Sequence, residues 1–430
     1  MTSARRQESQ RGAAFLLFLL VSISIGTTLL FSTWSQSAGR LEQERKTQNS
    51  LNQAKQALIA YAVSVYPSGN VRPGDLPCPD MNNDGKKEVI SCGNAAGTTG
   101  QALRLGRLPW KSLGIPDLRD GSGERLWYAV SNNFKENTRN TPLNSDSSGS
   151  IRYVDSDGNV VPDVIAVIIA PGPPLERLNA VAAQDRSPAG ENTPSNYLDK
   201  TATEDNSDFI DYGVNGFANG PVRDAQGRLL VNDMMAVVTY SDLMPLLERK
   251  VAATVLNCLN SYASYIGGTY NNLGRYPWPA DIAASAANNY DDTANTLFGR
   301  IPNSMANSQA SAPNMLPMWG SLPECSITDN WFRNNWREQV FYAIANAYTP
   351  GTTAPACGPC LIVGANVNIK VTVLMARRAL APLPLNQNRV TPAAKALIAN
   401  YLEDGNATAY DGIFEIKSAS TSFNDLLVFK

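Results

Sequence analysis

The chain has 430 residues, 43% hydrophobic and 17% charged, with a formal net charge of −2. It can bury substantial cores, and its charge gives no electrostatic reason to bind nucleic acid. No histidine is present, which excludes Ser-His-Asp and Cys-His catalysis and His-ligated metal centres together.

In chain order, the first element is an uncharged run, Ala13–Trp34, with no charge until Arg40. It matches the roughly 20 residues that cross a bilayer as one helix. Arg5, Arg6 and Arg11 precede it, so the positive-inside rule predicts a cytoplasmic N-terminus and the bulk of the chain on the other side. Beyond it, Leu51, Ala54, Leu58, Tyr61 and Val65 recur at spacings of three and four, the stripe of an amphipathic helix. Pro67, Gly69, Pro73 and Gly74 then end it. One continuous helix is expected from about Ala13 to Tyr66.

The basic leader ending at Gly12, followed by Ala13-Ala14-Phe15-Leu16-Leu17, resembles the class III signal of the type IV pilin superfamily. The resemblance implies cleavage between Gly12 and Ala13 by a prepilin peptidase. It also implies inner-membrane insertion as a single-pass protein with a periplasmic C-terminal region, and partners among other pilins or pseudopilins. Most members carry Glu at the fifth mature position, where this chain has Leu17. A buried amine without that carboxylate costs several kcal/mol. A subunit lacking it suits a filament tip, as in the large tip pseudopilins of type II secretion systems.

Strands are predicted at Arg125–Ser131, Ser150–Val154, Val161–Ala170 and Asn232–Tyr240, with Asp-Ser-Asp-Gly-Asn as a hairpin turn. A helix followed by an antiparallel meander is an α+β fold. The pattern then restarts. Leu243–Ile266 resembles the Leu51–Tyr66 helix, Phe341-Tyr342-Ala343 stands where Trp127-Tyr128-Ala129 stood, and Asn400-Tyr401-Leu402-Glu403 echoes Asn196-Tyr197-Leu198-Asp199. The closing Asn424-Asp425-Leu426-Leu427 echoes Asn232-Asp233-Met234-Met235. The organisation read from this is a leader over 1–12, a transmembrane spine over 13–50, and tandem pilin-like heads over 51–242 and 243–430.

Asp80, Asn82, Asp84, Lys86 and Glu88 have the D-x-N-x-D-G-x-x-E order of a calcium loop, Lys86 contributing its carbonyl. Ser91 stands where an EF-hand has its bidentate Glu, so any calcium site here is weak. A polar Asx-turn loop is the competing reading. Asp155, Asp157, Asn159 and Asp163 form a second acidic cluster of the sort seen in short calcium loops, but the second repeat keeps the hairpin at Gly364-Ala365-Asn366 without acids, which favours a plain turn.

Cys78 and Cys92 flank the first loop. Cys357-Gly358-Pro359-Cys360 matches the thioredoxin tetrapeptide but lacks its βαβ setting, so a turn-closing disulfide is expected. Cys258 and Cys325 would then pair, other connectivities remaining open. Trp110, Trp127, Trp278, Trp331 and Trp336 are read as core, with an exposed aromatic gripping patch as the alternative.

The function expected is a non-enzymatic minor pilin or pseudopilin at or near the tip of a type IV pilus or type II secretion pseudopilus. It would be stiffened by disulfides and by weak calcium binding at the loops named above. The alternatives are a tip adhesin with a substrate-binding head, and a membrane-anchored thiol oxidoreductase using Cys357 and Cys360.

Overall fold

The computed structural model describes residues 20, 38–89, 92, 104–137, 139, 141–176, 183–209, 213, 215–284, 289–322, 325–358, 360–381 and 386–430. The first helix described, α1, spans 38–64. Leu51, Ala54 and Leu58 of the predicted stripe are buried, but Ala62 takes the buried place expected for Tyr61, which is half-buried, and Val65 lies past the helix end. Within this helix the chain carries Arg40, Glu42, Glu44, Arg45, Lys46 and Lys55.

The expected transmembrane spine is corrected by this structure. Among the described residues no helix is long and apolar enough to cross a membrane. The described helix carries five charges within Arg40–Lys46 and a further one at Lys55, and it spends its apolar stripe on a globular core. A single-pass inner-membrane protein is therefore not supported. The segment Ala13–Trp34, apart from Leu20, and the cleavage residues Gly12 and Ala13 lie outside the described residues.

The fold is α+β, though its sheet is not the meander read from the sequence. The first half has β1 (Leu105–Arg107), β2 (Trp127–Val130), β3 (Ile151–Val154), β4 (Val160–Ala170) and β5 (Phe217–Ala218). A small hairpin, β6 (Val222–Arg223) with β7 (Leu229–Val231), precedes β8 (Met234–Thr239). Strand order is β1-β2-β4-β3-β5, with β8 also on β4. A meander fails because β4 is long enough to serve three partners. Its first residues pair with β3, and the run from Ala166 onward lies between β2 and β8, buried without a break. Continuous burial is why Val164–Ala170 of this strand reads as an unbroken apolar run.

The second half adds β9 (Ile266–Gly267), β10 (Tyr270–Asn271), β11 (Phe298–Arg300), β12 (Val340–Ile344), β13 (Leu361–Val363), β14 (Asn366–Ile369), β15 (Val371–Met375), β16 (Ile413–Phe414) and β17 (Leu426–Phe429). Order β11-β12-β15-β17 repeats β1-β2-β4-β8, and the parallel β13–β16 pair repeats β3–β5. Registers repeat as well: Gly106 faces Tyr128 as Gly299 faces Tyr342, and Arg107 faces Trp127 as Arg300 faces Phe341. Each Tyr hydroxyl donates to a loop carbonyl at 3.1 Å, Pro77 O in one half and Pro277 O in the other.

The two glycines answer a local need. A Cβ on Gly106 would sit 2.8 Å from Asp80 O, and one on Gly299 2.0 Å from Ala280 O. In both places a bridging segment runs too close for a side chain.

Helix α2 (Tyr240–Ala263) joins the halves. The Asp242 carboxylate accepts the Thr239 N–H and hydroxyl, each at 2.8 Å, fixing its start. Leu243, Leu247, Val251, Val255, Leu259 and Tyr262 then recur toward one face and are buried. They share one apolar cluster with Leu51 and Leu58 of α1 and with Phe341 and Leu374 of the second sheet. Ion pairs cross between the halves: Arg378–Asp163 at 2.6 Å and Arg389–Asp146 at 3.0 Å.

Candidate functional site

The first acidic loop is folded on its own backbone. The buried Asp80 carboxylate accepts N–H groups of Asn82 (3.2 Å), Asp84 (3.2 Å) and Gly85 (2.7 Å). Asp84 accepts Lys86 N–H, and Glu88 accepts Met81 N–H. The Lys111 ammonium donates to the Asp84 carbonyl. These are the bonds of Asx turns. Lys87 reaches out of the loop to Glu136 and to the Tyr61 hydroxyl of α1. Among the described residues no group of three or more acidic or cysteine side chains gathers as a metal site.

Asp155 accepts Asp157 and Asn159 N–H groups as a turn residue, while Asp163 turns away to pair with Arg378. The second acidic cluster is thus divided between a turn and a contact joining the halves.

The disulfides are Cys78–Cys92, Cys258–Cys325 and Cys357–Cys360. The first closes the Asp80 loop across a separation of 14 residues. A Cys78→Ser/Cys92→Ser variant is expected to lose about 3 kcal/mol, the chain-entropy value for a loop of about 15 residues, read as a lower urea midpoint. Cys360 leads directly into β13, so the pair opens a strand and not the helix whose N-terminus would lower a thiol's pKa. Trp127, Trp331 and Trp336 are buried and Trp110 and Trp278 half-buried, so these residues form no exposed gripping patch.

Two constellations escaped sequence reasoning. The first is a buried acid pair that occurs once in each half. In the first half, Asp233 Oδ2 accepts Asp199 N–H (2.8 Å) and Asn206 Nδ2 (2.7 Å). Asp199 accepts Gln184 Nε2 and Asn232 N–H. In the second, Asp425 Oδ2 accepts Glu403 N–H (3.1 Å) and Asn406 Nδ2 (3.0 Å), and Glu403 accepts Gln387 Nε2 and Asn424 N–H.

Each Asn then binds the backbone of the parallel strand or its edge, Asn206 at Ala218 and Asn406 at Glu415. The four acids are at most 8% exposed. Burial and the neighbouring Asp199 push Asp233 well above the usual carboxylate range, and burial with Glu403 pushes Asp425 to about 9. Oδ1 of Asp233 and of Asp425 has no partner among the described residues. A protonated acid at each place is the physical solution, because a second buried negative charge would be costly. The only sequence signal was the repeated Asn-Tyr-Leu-acid and Asn-Asp pairs, read as repeat markers.

The second constellation is a polar cleft of about 470 Å³ between the halves. Asp146 comes from the first half, and Arg333, Arg337, Gln339, Arg389 and Lys395 from the second. Arg389 is held by Asp146 at 3.0 Å and Lys395 by Glu338 at 2.6 Å. Arg337 has neither arrangement. It is 4% exposed, stacks 4.8 Å from the Tyr290 ring centroid, and makes no ion pair or hydrogen bond among the described residues. Burial, and then the charge of Arg333, push its pKa down to about 10.

Comparison with known protein families, with curated proteins and with solved structures finds no match to this chain.

Proposed function

We propose that the chain is a structural subunit of the minor pilin or pseudopilin class that presents a doubled head at or near the tip of a type IV pilus or type II secretion pseudopilus. The observation that carries this reading is the repeat of one helix-and-sheet unit, register for register, around a shared core. A filament shaft needs a compact unit that stacks on copies of itself, whereas a doubled head suits a position with nothing above it. Residues 38–46 of α1 are exposed all round, leaving that end of the helix for a neighbour. Three disulfides stiffen the assembly and suit an oxidising compartment.

The test is co-expression with a prepilin peptidase. The mature chain is expected to begin at Ala13 and to appear in the sheared-filament fraction. Gly12→Val is expected to stay full length and be absent from that fraction. Normal maturation and incorporation of Gly12→Val would overturn the reading.

A further inference from the structure

Aligned through Tyr128 and Tyr342, which hold the same place in the two sheets, Arg337 falls opposite Gly123. The first half therefore has no counterpart to this arginine, although it repeats the neighbouring arginines: Arg107 matches Arg300, and Arg186 matches Arg389 in its stacking on Tyr197 or Tyr401 and its contact with Gln184 or Gln387. Those arginines are built into the fold by backbone carbonyls. Arg337 is built in by none. Its Nε is buried with no acceptor among the described residues, and a buried donor left unpaired costs free energy that nothing described in the protein returns.

The surroundings say what would return it. Arg333 adds a second cation at the cleft with no ion pair among the described residues, while the described negative groups of the lining are already committed, Asp146 to Arg389 and Glu338 to Lys395. A fork of guanidinium donors fits a carboxylate in a bidentate manner. The remaining lining is amide and aromatic: Asn144, Asn303, Gln339 and the rings of Tyr290 and Tyr401. Gln339 Oε1 is buried without a donor among the described residues, which matches a ligand hydroxyl. The volume of about 470 Å³ lies within the range of small-molecule sites.

We propose that this cleft binds a small hydroxyl-rich carboxylate, of the chemical class of a sugar acid, with its carboxylate on Arg337. This site is independent of how the chain assembles, so its failure and that of the filament reading are separately visible.

The experiment is calorimetric titration of the purified full chain with sodium glucuronate, and with glucose and sodium acetate as the hydroxyl-only and carboxylate-only controls. Glucuronate is expected to bind at least tenfold more tightly than either control. Arg337→Met should weaken it about a hundredfold, the loss of a charge-assisted pair. Arg333→Gln, at an exposed position, should weaken it only several-fold. Arg337→Met is also expected to unfold at the wild-type temperature or above, because it removes an uncompensated buried charge. The proposal is overturned if glucuronate gives no binding heat, if acetate or glucose matches it, or if Arg337→Met keeps wild-type affinity. It is overturned equally if Arg337→Met melts several degrees lower, which would make the arginine a structural one.

Discussion

Arg300→Met is expected to lower stability by roughly 3–5 kcal/mol, the range for removing one partner from a buried charged network, measured as a fall in the urea midpoint. Arg300 is 1% exposed. Its Nε donates to Ile282 O (2.8 Å), Nη1 to Glu338 O (2.6 Å) and Nη2 to Lys395 O (2.7 Å). Its guanidinium carbon lies 4.8 Å from the Phe341 ring centroid and 4.9 Å from that of Tyr401.

Three segments distant in sequence therefore meet on one planar group. Methionine keeps much of the volume but strands three carbonyls, each costing about 1–3 kcal/mol when left without a donor in the interior. Lysine is expected to rescue little, since a single ammonium cannot reach three carbonyls lying in different directions around a flat fork. Arg107→Met, in the equivalent place, should cost less. Arg107 has two carbonyl acceptors, Arg125 O and Glu191 O, and its Nε is already unpartnered. A loss below about 1 kcal/mol for Arg300→Met would place it among ordinary surface changes and refute this account.

These arginines also show where sequence reading stopped. Elements with strong periodicity were visible: the Leu51–Leu58 stripe, the long apolar β4, and the hairpin turn whose Gly158 takes a positive φ of 86°. The strand β1 has three residues, too few to show a period of two. The N-terminal spine rests on the Ala13–Trp34 hydropathy, the preceding arginines and the resemblance, whereas the helix the structure describes is an amphipathic one serving a globular core.

The D-x-N-x-D pattern could not separate a cation loop from an Asx-turn loop, because both place side-chain oxygens around one backbone turn. The acid pairs were hidden for a different reason. Asp199 and Asp233 are separated by 34 positions, and only sheet closure brings them together. Nothing local distinguishes Arg337 from a surface arginine either. Its meaning lies in the partner it lacks, which only the packed structure shows.

The acid pairs give the chain an unusual expected response to pH. Asp425 has a folded pKa of about 9, raised from 3.8, so the folded state holds a proton that the unfolded state releases across that interval. The stability from this proton is fully present below the unfolded value and is lost as pH rises toward the folded one. The slope is about 1.4 kcal/mol per pH unit for one proton. Asp233 is raised for the same reasons and acts in the same direction.

Asp425→Asn keeps the shape of the protonated acid and supplies a permanently neutral donor. Its stability relative to wild type is expected to climb by about 3 kcal/mol between pH 6 and pH 8, two units at that slope. The measurement is a pair of urea-unfolding series at fixed ionic strength. Because the Glu403 charge, after burial, helps to raise Asp425, Glu403→Gln should also flatten the profile. It should do so at a cost Asp425→Asn avoids, since Glu403 Oε2 accepts both Asn424 and Asp425 N–H groups and an amide nitrogen placed there cannot. Parallel wild-type and Asp425→Asn profiles across this range would mean that no proton is held there and that the buried pair is fully ionised.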